Sequence, residues 1–200
     1  MAVLKSDVAV AERAPVVILF AETRGFTRTS EILEPSVVLA RVSEFFALVA
    51  AAVERHQGAV RNVLNDTLMG TFAGQGNAQH AVQAAQEIQR DFTVLEEAWQ
   101  HDYGIRAAVA MGLHAGDAVI GLAVGPIPGQ SLIVGDSVSV ADRLLHRARA
   151  GEFVLSKTIM DALAAAGFVL EAEELPTLKM PRREPIRIFG VLCDTRLDFT

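Results

Sequence analysis

One cysteine, one tryptophan and one tyrosine occur in the 200 residues, and aromatic residues make up only 6%. A lone thiol, Cys193, excludes an internal disulfide and a thiolate zinc site. The histidines at 56, 80, 101, 114 and 146 are not paired at helical ligand spacing, which argues against a histidine metal cluster. Basic runs are scarce as well. Net charge is −6, and the short run Lys179 to Arg183 reads as a solvated loop or a local phosphate contact, which argues against nucleic acid as a partner. Long apolar runs are absent too: the longest, Phe45 to Val53, is nine residues within an amphipathic pattern, too short for a bilayer. The first residues, MAVLKSDVAVAERAP, contain acidic groups and no apolar core of signal-peptide length. They argue against secretion and point to a cytoplasmic location without membrane association.

What is present is apolar. Hydrophobic residues make up 51% and mean hydropathy is +0.31. A chain of this length can bury a full core without staples. The excess implies either a large core or apolar surface that meets a partner chain.

Residues 16–21, VVILFA, are a β-branched run expected as a buried strand after an N-terminal extension over 1–14. Pro35 then opens a helix whose apolar residues 38, 39, 42, 45, 46, 49, 50 and 53 share one face, with Gly58 ending it. AVRNVL and TLMGTFA read as two strands joined at Asn65-Asp66, a dipeptide suited to a hairpin. Asn77 is expected to cap a second helix with apolar positions 81, 82, 85, 88, 92 and 95. A strand pair over 105–113 and 117–125 follows, then the strand SLIV and a helix from Gly135-Asp136 through Ala148. Further strands are expected at 152–155 and 186–192, with a helix at 157–166. The order βαββαβ with C-terminal additions predicts an α+β domain over 15–200 with a ferredoxin-like core. No linker or repeat divides it.

Four islands carry a resemblance: LFAETRGFT (19–27), QGAVRNVLNDTLMGTF (57–72), MGLHAGDAVIG (111–121) and LIVGDSVSVADRLLHRARAGEFVLS (132–156). A weaker fifth, LKMPRREPIRIFGV, closes the series at 178–191. In this order and spacing they resemble the class III nucleotidyl cyclases. The resemblance implies that family's fold, and a homodimer whose sites are completed by residues from both subunits. The 105–125 and 136–148 segments are expected at its interface. It also implies the chemistry: a ribose 3′-hydroxyl attacks the α-phosphorus of its own triphosphate, and pyrophosphate leaves. Two Mg or Mn ions held by two carboxylates assist.

By position in the motifs, the carboxylates are Glu22, where the family has Asp, and Asp66. Glu is one methylene longer, which moves the carboxylate by about an ångström, a displacement that can cost on the order of a hundredfold in rate. A solvent-facing strand end accounts equally for Glu22, and turn chemistry alone accounts for Asn65-Asp66. Gly25, Phe26 and Thr27 correspond to the loop whose backbone N–H groups receive phosphates, though a structural turn needs the same residues. Arg143 matches the arginine that stabilises transition-state charge; an ordinary surface ion pair is the plainer reading. Ser139, four residues earlier on the same helix face, replaces an asparagine that orients the ribose. Asn62 and Leu132 replace the two base-reading residues, and Leu132 would leave a base polar group unpaired at a cost of about 1–3 kcal/mol. Lys179 matches a phosphate-contacting lysine, with Met180 where a glycine follows in the family.

The retained and altered positions predict a domain of cyclic-nucleotide signalling with impaired catalysis. It would act as a dimeric nucleotide- and metal-binding or regulatory module, with a regulatory protein among its partners. An active adenylate cyclase and a pure interaction module with a closed cleft are the alternatives.

Overall fold

The first strand runs well beyond its apolar centre. In the computed structural model, which describes residues 11–25, 31, 33–122 and 131–192, β1 spans Glu12–Arg24. Residues 12–14 of the expected extension are therefore in the sheet. Val16 to Leu19 and Ala21 are buried because β1 is a central strand with helices on both faces.

Pro35 opens α1 (Pro35–Arg55), which packs Phe45, Val49, Ala52 and Val53 against the sheet. By length and composition alone α1 could also cross a membrane, and 22% of its most apolar window is buried. Its end differs in detail from expectation. Gln57 takes the left-handed conformation (φ 61°), while the Gly58 N–H donates to Val53 O at 2.8 Å. Gly58 is needed for closeness: a Cβ there would lie 2.6 Å from the Phe72 ring.

The hairpin forms as expected, from β2 (Ala59–Leu64) and β3 (Thr67–Ala73). Then comes α2 (Asn77–Tyr103), whose cap is Gly76 at φ 75° rather than Asn77, the first helical residue. Its Ala81, Val82, Ala85, Ile88 and Phe92 are buried, as their spacing predicts.

The expected strand pair over 105–125 is a single strand, β4 (Ala108–Leu122). β1 pairs with β4 without interruption, from Glu12↔Ile120 to Arg24↔Ala108. This non-local ladder overrides the expected break. Gly116 makes room for α3 (Asp136–Arg147), since a Cβ there would overlap Ser137 Oγ. At Gly112, a Cβ would overlap the α3 backbone at Leu145 N and Ala141 O.

The outer edge of β4 is shared. Its second half pairs with β5 (Ser131–Val134), and Met111–Leu113 pairs in parallel with β6 (Glu152–Ser156). After α4 (Lys157–Ala165), β7 (Glu173–Leu178) and β8 (Ile186–Leu192) complete an eight-stranded sheet. β7, EELPTL, has no apolar run and contains Pro176, so it gives no strand signal. A sheet-end position with a bulge between Leu175 and Leu178 accommodates it. At the other end, β2 carries a bulge between Val60 and Asn62.

The core order β2-β3-β1-β4 is that of the ferredoxin-like βαββαβ unit, with β5 to β8, α3 and α4 as additions. Helices α1, α2 and α4 cover one face in a continuous apolar core that includes Trp99. On the opposite face α3 packs Val140, Ala141, Leu144 and Leu145 against Ile18, Ala110 and Val154.

Candidate functional site

Alternation along β1 places Val16, Ile18 and Phe20 against the α3 side of the sheet, and Glu22 and Arg24 follow on that face. Glu22 lies opposite Thr67 on β3, the residue after Asp66. Glu22 and Asp66 thus lie at the same end of neighbouring strands. Asn65 holds the hairpin turn at φ 55°, the left-handed conformation that asparagine tolerates in place of glycine. Gly25 sits at φ 89°, and a Cβ there would come 2.7 Å from Arg106 O, so backbone passes close at the strand end. Phe26 and Thr27 lie outside the described residues.

Glu22 is already engaged. Arg24 Nη1 donates to Glu22 Oε1 in an ion pair. Arg24 Nη2 donates to Leu145 O at 2.9 Å and to Ala148 O at 3.4 Å, carbonyls at the C-terminal end of α3. The motif reading passed over Arg24. Its signal was available: opposite charges two residues apart on a strand face the same way.

These residues fit one half of a two-ion donor set. Asp66 is half-buried at the turn, whereas the Glu22 carboxylate is matched to a guanidinium. Among the described residues, no group of three or more His, Cys, Asp or Glu side chains is arranged to hold an ion. The full pair of divalent ions does not fit this donor set as it stands.

The second group of residues lies on α3. Ser139 and Arg143 are exposed on its outer side and, with Asp142, His146, Arg147 and Leu178, line an open groove of about 500 Å³. Lys179 follows Leu178 directly and is exposed. Met180 packs against the apolar cluster under α3, which accounts for a large side chain where the family has glycine. Arg183 pairs with Asp136 at 2.5 Å and ties this loop to the start of α3.

Asn62 and Leu132 are exposed and stand outside that groove. Ile133 turns into the cluster beneath α3, so alternation turns Leu132 outward, 48% exposed. Glu22, Gly25 and Asp66 also lie outside the groove. Among the described residues, then, the groove gathers Ser139 and Arg143 but none of Glu22, Gly25, Asp66, Asn62 or Leu132.

His114 is a buried polar residue that the motif reading did not single out. Its Nδ1 is 2.8 Å from Ser156 Oγ, which is 2.8 Å from Thr158 Oγ1, and Thr158 donates to Ala115 O at 3.0 Å. Burial, reinforced by the nearby Arg183 and opposed by Asp136, lowers its pKa to about 4.

Comparison with known proteins follows the same lines. Residues 8–190 match the family described as Adenylate and Guanylate cyclase catalytic domain. An adenylate cyclase of Anabaena cylindrica is 28% identical over 142 residues, covering 69% of this chain and 28% of that protein. Adenylate cyclase 1 of Rhizobium meliloti (strain 1021) is 28% identical over 136 residues, 66% of this chain and 20% of the relative. The matched part of the chain therefore corresponds to only 28% and 20% of the length of these relatives. In fold, the adenylyl cyclase CyaB from P. aeruginosa superposes with a TM-score of 0.82 at 21% identity, covering 94% of this chain and 98% of that one. The guanylyl cyclase Cya2 gives 0.81 at 24% identity, covering 90% and 92%.

Proposed function

Because the chain belongs to the adenylate and guanylate cyclase catalytic domain family, we propose that it is a member with impaired turnover. On this reading it works as a homodimeric nucleotide-binding or regulatory module in the cytoplasm, with a regulatory protein among its partners. The observation that carries the reading is the asymmetry of the α3 side. Arg143 remains in an open groove, while beside it Ser139 replaces the ribose-orienting side chain; away from the groove, Leu132 is exposed and offers only methyl groups.

Phosphate recognition relies on cationic side chains and backbone N–H groups, and these are retained. Base recognition relies on side-chain donors and acceptors, and these are changed. Triphosphate binding should therefore be weak, dependent on Mg or Mn through Asp66, and nearly indifferent to the base. Arg143 would stabilise charge on the phosphoryl oxygens. A groove without Glu22 and Asp66 suits a site completed by a second copy, and the apolar composition suits an interface.

Calorimetry with ATP and GTP in the presence of Mn²⁺ tests the binding. Affinities within about tenfold of each other, roughly 1.4 kcal/mol, are expected. A strong preference for one purine would show that the pocket has been rebuilt. The curated relatives' descriptions favour a second reading, an active adenylate cyclase. Cyclic AMP formation from Mn-ATP at about 1 per second or more would establish it and overturn the first. Light scattering that shows only a 21.5 kDa monomer at micromolar concentration would remove the dimer.

A further inference from the structure

The side chain of Arg24 holds three acceptors at once: the Glu22 carboxylate and the Leu145 and Ala148 carbonyls. Those carbonyls belong to the negative end of α3, where a cation is favoured. The pair is largely shielded, with side chains 27% and 17% exposed. We infer that Arg24 is a built-in competitor for divalent metal, its guanidinium neutralising the carboxylate that an incoming ion would need. The inference rests on the reading of Glu22 and Asp66 as the metal carboxylates.

Two features of the chain act together here. Residues two apart on a strand share a face and stand about 6.6–6.8 Å apart along it, a gap that long side chains span easily. Glutamate in place of aspartate adds reach toward Arg24. Arginine provides a planar fork that can serve a carboxylate on one arm and helix carbonyls on the other. An ion arriving at Glu22 must displace a guanidinium that stays bonded to the helix end, and must do so against its positive charge. Removing only one partner of a shielded pair leaves the other charge uncompensated, which makes the freed carboxylate a strong acceptor for any cation. Asp66 then remains as the carboxylate open to metal in the resting chain.

The test is a Mn²⁺ titration of the full chain, without nucleotide, followed by calorimetry and by the spin-resonance signal of free Mn²⁺. Arg24→Met keeps an unbranched apolar stem and loses the charge, and Arg24→Gln loses the charge but keeps a shorter amide donor. Both should bind Mn²⁺ at least about tenfold more tightly than the wild type. Glu22→Gln should change wild-type affinity by less than about threefold, yet remove the whole gain when combined with either Arg24 variant. The inference is overturned if neither folded Arg24 variant gains affinity, or if the gain survives Glu22→Gln. Should both Arg24 variants fail to fold, the wild type decides: a loss of more than about tenfold on Glu22→Gln means that Glu22 already ligates metal. Failure of the underlying site reading shows differently, as wild-type Mn²⁺ binding that Asp66→Ala leaves unchanged.

Discussion

The two sides of α3 obey different rules. Its inner side is set into β4 so closely that glycines 112 and 116 are needed beneath it. Its outer side carries Ser139, Arg143, His146 and Arg147 into solvent around a shallow groove. The inner side retains the motif glycines, and the outer side is where the ribose-orienting asparagine has become serine. Packing constrains the first through backbone contacts that no side-chain rotation can relieve. Only chemistry constrains the second, so residues there can change while the fold stands.

That comparison breaks most readily at Gly112. A Cβ there meets helix backbone, which cannot swing aside, so Gly112→Ala should cost more than about 3 kcal/mol or abolish folding. Chemical denaturation measures it, and a loss below about 1 kcal/mol would mean that α3 slides freely on β4.

Next in size is the inner-side response to acid. The unfolded chain protonates His114 near the ordinary value of 6.5, while the folded chain resists until about 4. Stability should therefore fall as pH drops through that window, by about 3 kcal/mol for this group. His114→Gln should flatten that part of the stability curve. An unchanged slope would assign the acid sensitivity to other groups.

Gly116 sharpens the contrast with Gly112. The atom in the way is the Ser137 hydroxyl, which can rotate but would then give up its 2.8 Å bond to Asp117 O. Gly116→Ala should cost about 1–2 kcal/mol, visibly less than the same change at 112.

Smallest of all should be the outer side. Ser139→Asn restores the family's side chain on an exposed position and should leave stability within about 0.5 kcal/mol. If thermal unfolding shows a larger change, the groove contributes to the fold and the two-sided account fails.

Much of the fold was legible because local signals agreed with one another. β1, the β2–β3 hairpin and both long helices each combine an apolar period with punctuation at their ends. The expected pair over 105–125 is one strand because its ladder with β1, which runs straight through Gly116, is non-local. β7 was invisible because Pro176 and the polar EELPTL stretch carry no strand pattern. Of the site, the positions of Glu22, Asp66, Ser139 and Arg143 come from the motifs; the structure places Glu22 opposite the residue after Asp66, and Ser139 and Arg143 in the α3 groove. Arg24 escaped because its position in the motif is variable, and its role depends on carbonyls more than a hundred residues away. His114 escaped because burial, not spacing, makes it notable.

The irregular strands at the two ends of the sheet have a consequence for how copies of this chain can meet. A regular boundary strand offers evenly spaced donors and acceptors on which another strand can grow. Here β2 is stepped by its bulge after Val60, and β7 is stepped again where Pro176 has no N–H to give. Growth of the sheet from chain to chain is thereby discouraged at these two ends. Among the described residues β5 pairs with β4 alone, and its exposed Leu132 and Val134 stand on a strand that carries no such step.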